Sequence, residues 1–74
     1  MPKETMTPAE IKAARQALRL SADDLASLLD TDTQSIYRME QSQDAATFRK
    51  PAPRMVRLIR AYMAGYRPVD WPGT

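Results

Sequence analysis

Three helix starts follow one another in the first half of the chain, and they decide most of what it can become. Thr7-Pro8-Ala9-Glu10, Ser21-Ala22-Asp23-Asp24 and Asp32 each set a capping residue ahead of an apolar pattern. Ser, Thr and Asp side chains accept hydrogen bonds from the free amides of a first helical turn. Thr7 and Glu10 have the spacing of a capping box, and Pro8 suits the first helical position, where an amide has no partner anyway. The two aspartates after Ser21 favour the positive end of a helix dipole. Ile11, Ala14 and Leu18 continue the first pattern at helical spacing; Leu25, Leu28 and Leu29, with the small Ala26, continue the second. Ile36 and Met39 continue the third. This periodicity predicts helices from about Pro8 to Leu18, from Ser21 to near Leu29, and from Asp32 to near Gln41. Asp30-Thr31-Asp32 is the short polar turn between the second and third.

The second half is less regular. Residues 42–52 read as an exposed loop rich in Gln, Ser, Asp and Thr, with Arg49-Lys50 near its end. Pro53 opens a fourth helix with an apolar stripe of Met55, Leu58, Ile59, Tyr62 and Met63, and Gly65 is a fitting C-terminal cap. The opposite face carries Arg54, Arg57 and Arg60. Residues 66–74 hold two prolines and Trp71 and read as an irregular tail; residues 1–6 lack periodicity and read as a frayed start. There is no alternation of the β-strand kind and no internal repeat. The expected fold class is all-α, a compact four-helix domain over residues 7–65 containing a helix-turn-helix.

A chain of 74 residues fits one domain and buries only about 60% of its unfolded surface, so its core is marginal. Such domains often rely on a disulfide, a metal or a partner subunit. Cysteine and histidine are both absent, which excludes disulfides and thiolate or imidazole metal sites. Efficient packing or oligomerisation remains. The same absences remove the commonest general base and the best thiol nucleophile, and no constellation suggests an enzyme. No cofactor and no metal are expected. No run approaches the ~20 apolar residues of a membrane span, and no charged start precedes an apolar signal core. The expected location is the cytoplasm, with no membrane partner.

The net charge of +2 conceals an uneven distribution. Up to Tyr37, acidic residues outnumber basic ones; from Arg38 to Arg67, Arg38, Arg49, Lys50, Arg54, Arg57, Arg60 and Arg67 face only Glu40 and Asp44. A basic half suggests an anionic partner, of which nucleic acid is the leading candidate. A solvated basic helix face would show the same charges.

Two short capped helices joined by a tight turn form a helix-turn-helix pattern. The segment from Arg15 to Glu40, RQALRLSADDLASLLDTDTQSIYRME, resembles the Cro/C1-type helix-turn-helix family of phage repressors and bacterial regulators. The resemblance rests on Arg15, Leu20-Ser21, Leu25-Ala26, the turn at Asp30-Thr31-Asp32 and Glu40, all in register, and spans roughly residues 7–64. It implies a lambda-repressor-like fold whose third helix enters the DNA major groove. The positions that touch bases in that family fall on Thr33, Gln34 and Arg38, with Tyr37 close by. Gln can pair with adenine and Arg with guanine. The amides near Ser21 and Ala22 would hold a backbone phosphate, as helix N-termini do. Arg49, Lys50 and Arg54 would add phosphate contacts from the basic loop. Arg15 and Glu40 would form a structural ion pair between the first and third helices. The chain departs from the family in several places. Ala22 replaces a frequent Gln, Asp30 replaces a turn glycine, and Gln41-Ser42 replace a glycine after the third helix. The next loop is longer, and a fifth helix is replaced by the tail.

The partner implied is double-stranded DNA with a pseudo-palindromic operator, bound by a homodimer. Met63, Tyr66, Val69 and Trp71 are the candidate dimer contacts; alternatively, Trp71 folds back over its own core. The expected role is a repressor of its own operon, of phage or prophage type, including regulators that accompany anti-CRISPR genes. An antitoxin of a toxin–antitoxin pair is an alternative, although the short tail leaves little room for a toxin-binding segment. A protein-interaction module that uses the same fold without binding DNA is another.

Overall fold

The computed structural model describes residues 5–72 and contains four helices: α1 (Pro8–Ala17), α2 (Ala22–Leu28), α3 (Thr33–Met39) and α4 (Pro53–Met63). The described residues include no strand.

Each of the first three helices begins on a side-chain cap. The Glu10 amide donates to Thr7 Oγ1 at 3.1 Å, and the Thr7 amide donates back to Glu10 Oε1 at 2.8 Å. Ser21 and Asp24 repeat this reciprocal box on α2, at 3.0 and 3.2 Å. On α3 the Ser35 amide donates to Asp32 Oδ1 at 2.9 Å. The fourth helix has no side-chain cap; Pro53 supplies the residue that lacks an amide.

The helix ends share a second device. Arg19, Asp30 and Gly65 follow the caps of α1, α2 and α4 with φ of 58°, 58° and 112°. At each, two amides turn back onto carbonyls of the last turn: Leu20 onto Arg15, Thr31 onto Ala26 and Tyr66 onto Ala61 close the longer bonds. This is the Schellman arrangement, which satisfies carbonyls that the helix leaves unpaired. Asp30 takes the left-handed backbone usual for glycine, so the turn between α2 and α3 closes without one.

The core is built where the four elements meet. Ile11 of α1, Leu25 of α2, Ile36 and Met39 of α3, and Val56 and Ile59 of α4 are fully buried. α2 packs closely on α3, and α1 packs on α4. The buried face of α4 is Met55, Val56, Ile59 and Tyr62, which corrects the expected stripe in two places: Val56 is inside and Met63 is half exposed. Val56 and Met63 are seven residues apart and share one face of the helix, so the difference is one of level along its axis: Met63 is the last residue of α4.

The termini depart further from expectation. Met6 packs against the core, and Arg60 Nη2 donates to the Thr5 carbonyl at 2.8 Å, so the expected frayed start is anchored at those two residues. Residues 1–4 of that segment lie outside the described residues, as do residues 73 and 74 of the tail. The rest of the tail folds back. Trp71 meets Tyr62 edge to face, with ring centres 5.1 Å apart, and the Arg67 guanidinium lies 4.3 Å over the Trp71 ring. Arg67 also donates to the carbonyls of Tyr62 and Tyr66. Burial of the Tyr62 phenol raises its pKa above the ordinary value.

Candidate nucleic-acid interface

Helix α3 divides cleanly into two faces. Ser35, Ile36 and Met39 point inward, while Gln34, Tyr37 and Arg38 are exposed. The same period that buries the apolar residues turns these three outward. Tyr37 is a large aromatic with more than half its surface in solvent, at 55%. Thr33, the fourth residue expected on this face, is half-buried, and its hydroxyl donates to Asp23 Oδ1 in the first turn of α2.

The position of α3 is fixed from several sides. Arg15 Nε donates to Glu40 Oε2 at 2.7 Å and Arg15 Nη2 to Glu40 Oε1 at 3.1 Å, so the expected ion pair is bidentate. Arg15 Nη1 also reaches the Leu20 carbonyl at 3.2 Å. The bond to Glu40 raises the Arg15 pKa, outweighing the loss of solvation on burial. At the other end, hydrogen bonding from Ser35, its side chain first and its amide second, lowers the Asp32 pKa, and the nearby Arg49 cation acts in the same direction.

The loop after α3 is attached to that helix rather than merely exposed. The Arg49 amide donates to the Arg38 carbonyl at 3.2 Å, and Arg49 Nη1 donates to the buried Ser35 Oγ at 2.6 Å. Thr47 donates to Gln41 Oε1, Phe48 is half-buried and Pro51 is buried. Arg49 therefore stays exposed while being held along the flank of α3. Lys50 is exposed at the rim of a cavity of about 330 Å³, shared with Thr5, Met6, Gln43, Phe48 and Pro51. Arg54 is exposed in the first turn of α4.

The start of α2 is less open than the sequence led us to expect. The Ser21 amide, a candidate phosphate donor, is already given to Asp24 Oδ2. The side chain of Ala22 is buried in the core, so this residue can offer only backbone to a ligand. The Asp23 and Asp24 carboxylates sit at the same helix end, where a phosphate would meet their charge.

Of the candidate dimer contacts, Met63, Tyr66 and Val69 are exposed, Val69 fully at 102%. Trp71 is half-buried on its own Tyr62, so its edge-to-face contact is made within the protomer. Two of the side-chain contacts not expected from the sequence bear directly on α3: Ser35–Arg49 and Asp23–Thr33. Ser35 was the detectable one, since a polar residue on an inward helical position needs a partner and Arg49 supplies it. The Asp23–Thr33 bond had no comparable signal, because it depends on how closely two helix starts approach.

Among the described residues, no helix is long and apolar enough to cross a membrane, and no group of His, Cys, Asp and Glu side chains could hold a metal ion. The class defined by this architecture is a small all-helical domain in which a short helix, braced by its predecessor across a tight turn, presents a polar face to solvent. No protein-family model matches the chain, and neither a curated protein nor a solved structure matches it.

Proposed function

We propose that the protein is a cytoplasmic, sequence-specific double-stranded DNA-binding regulator of transcription, with α3 as its recognition helix. The observation that carries this reading is the exposed row of Gln34, Tyr37 and Arg38 on a helix braced from behind by α2 and the Arg15–Glu40 pair. An α-helix fits the major groove, and amide and guanidinium groups match the edges of adenine and guanine. Arg49, held against α3, and Lys50, exposed on the same loop, carry positive charge that adds sequence-independent affinity. A lone recognition helix spans few base pairs. We therefore propose that two copies bind a pseudo-palindrome, joined through the exposed Met63 at the end of α4 and Tyr66 and Val69 of the tail. Repression of its own operon in a phage or prophage is the setting this reading favours.

The acidic start of α2 and the occupied Ser21 amide favour a second reading, a protein-interaction module that does not bind DNA. One experiment separates the two. Binding to duplex fragments from the DNA flanking the gene is measured between ~50 and ~200 mM salt. The DNA-binding reading expects affinity for a defined fragment that falls steeply with salt. An absence of binding at both ends of the range overturns it.

A further inference from the structure

A cavity of about 330 Å³ lies between the start of the chain and the loop that follows α3. Thr5 and Met6 line it from one side, and Gln43, Phe48, Lys50 and Pro51 from the other. Both walls are tied down. The Thr5 carbonyl receives Arg60 Nη2 at 2.8 Å, and Met6 packs on the core. Across from them, Arg49 fastens the loop to α3 through its side chain and its amide, and Thr47 donates to Gln41 Oε1. The opening thus belongs to the folded shape, as small-molecule pockets do.

The lining is mixed. Met6, Phe48 and Pro51 give apolar walls, and Thr5 and Gln43 add a hydroxyl and an amide. Phe48 is the only phenylalanine of the chain. It is half-buried, yet it lies outside the core cluster and the side chains packed on it. Packing of the core therefore does not account for it. Lys50 is the one charge among the six lining residues, and among the described residues it has no ion-pair or hydrogen-bond partner.

These features specify a ligand class. Aromatic rings meet offset or edge to face, so Phe48 favours an aromatic body. A charge removed from water must be paired, and one ammonium offsets one negative charge. The Thr5 hydroxyl and the Gln43 amide donate, and a carboxylate accepts. The volume sits at the low end of the roughly 300–1,000 Å³ of small-molecule pockets, which suits a compact ring system.

We propose that this cavity binds an aromatic monocarboxylate, with its ring between Met6 and Phe48 and its carboxylate on Lys50. No residue of α3 lines the cavity, so occupancy is measured on the free protein whatever the outcome for DNA.

The test is titration of the full chain with naphthoate and, separately, with the neutral naphthylmethanol, followed by amide chemical shifts. Naphthoate should move the amides of Met6, Gln43, Phe48 and Lys50 along one saturating curve, with a Kd of about 1 mM or below. Lys50→Gln, at an exposed position, should weaken naphthoate by about fivefold and leave naphthylmethanol unchanged. Phe48→Ala, first shown to melt cooperatively, should weaken both compounds. Equal affinity of the parent for the two compounds overturns the carboxylate assignment, as does unchanged naphthoate binding by Lys50→Gln. Parental affinity in Phe48→Ala overturns the cavity as the site. Shifts that never saturate, or that spread equally to Arg38, Arg54 and Arg57, mark general attraction of an anion to a basic surface, and the proposal falls. It falls too if the same amides move with protein concentration alone, because the cavity then takes a second copy of the chain.

Discussion

Arg15 and Glu40 clasp the first and third helices with two parallel hydrogen bonds, and the same guanidinium holds the Leu20 carbonyl in the connection between α1 and α2. Glu40 is also the residue that ends α3. One side chain therefore ties together both ends of the helix-turn-helix. Both partners are largely buried, at 16% and 8% side-chain exposure. Removing one of them leaves a desolvated charge behind, which costs more than the intact pair contributes. Glu40→Ala is expected to lower stability by about 3 kcal/mol, and Arg15→Met with Glu40→Leu to recover much of that loss. Chemical denaturation of Arg15→Met, Glu40→Leu and the double variant measures the coupling. A double variant no more stable than the singles would show that the pair is not the linkage described.

The fold was readable where chemistry is local. The caps at Thr7, Ser21 and Asp32 depend on residues three apart, so each helix start was visible in a few letters. The Arg15–Glu40 pair needed the family resemblance in addition, because opposite charge twenty-five positions apart names no geometry. What could not be read depends on rotation and distance in three dimensions. Val56 and Met63 share one face of α4, and only their level along the helix axis, within the core or at the last residue, decides which is buried. Trp71 was poised between covering its own core and meeting a second copy; the local turn from Pro68 and the Arg67 contact bring it onto Tyr62. The Asp23–Thr33 bond joins side chains whose approach is set by the turn, and Ser35, although its inward position calls for a partner, finds Arg49 through a loop that has no periodic signal.

The left-handed residues are the places where the chain is under strain. Arg19 has φ of 58° with an exposed side chain, and left-handed backbone is unfavourable for a residue with Cβ, by roughly 1–2 kcal/mol. Arg19→Gly relieves this while raising the entropy of the unfolded chain, so the net gain is expected to be about 0.5–1 kcal/mol. In a domain of this size that raises Tm by roughly 3–6 °C. Asp30→Gly should act in the same direction, more weakly, since Asp tolerates this conformation better. Thermal melts of the two variants test this. A fall in Tm for Arg19→Gly would mean that its side chain contributes more than its backbone strain removes.

Acid should unpick the start of α3 through Asp32. Its carboxyl has a folded-state pKa below the ordinary 3.8, because Ser35 donates to the charged form. A depressed folded pKa contributes stability that is complete above the unfolded value and is lost as pH falls through the folded value. Asp32→Asn can still cap but does not titrate. The parent should therefore exceed this variant in Tm near neutral pH, and the gap should close as pH drops below 3.8. A gap that is constant with pH would remove the charged cap from the account of α3.

The tail is expected to serve two separate ends. Trp71 loses an edge-to-face contact and a cation–π contact when truncated, so Trp71→Ala should cost about 2 kcal/mol of stability. Val69 is fully exposed, so Val69→Asp should leave the melting temperature of the protomer nearly unchanged. On the dimer proposal, the parent sediments as a dimer at micromolar concentration, and Val69→Asp moves it towards the monomer. A monomeric parent at that concentration would remove the proposed interface.

The exposed face of α3 allows base reading to be separated from phosphate gripping. Gln34 and Arg38 project from the helix, and the Arg38 carbonyl that receives the Arg49 amide is main chain. Gln34→Ala and Arg38→Ala should therefore fold as the parent does and keep the loop attached. On the DNA-binding reading each loses about 1–3 kcal/mol of discrimination at its own base pair, with smaller losses on unrelated duplexes. Lys50 carries its charge on the loop, so Lys50→Ala should weaken all duplexes alike and reduce the salt slope by about one. Titrations of the selected operator and of a scrambled duplex at several salt concentrations distinguish the two patterns. If Gln34→Ala and Arg38→Ala bind the operator as tightly as the parent, α3 is not the recognition helix.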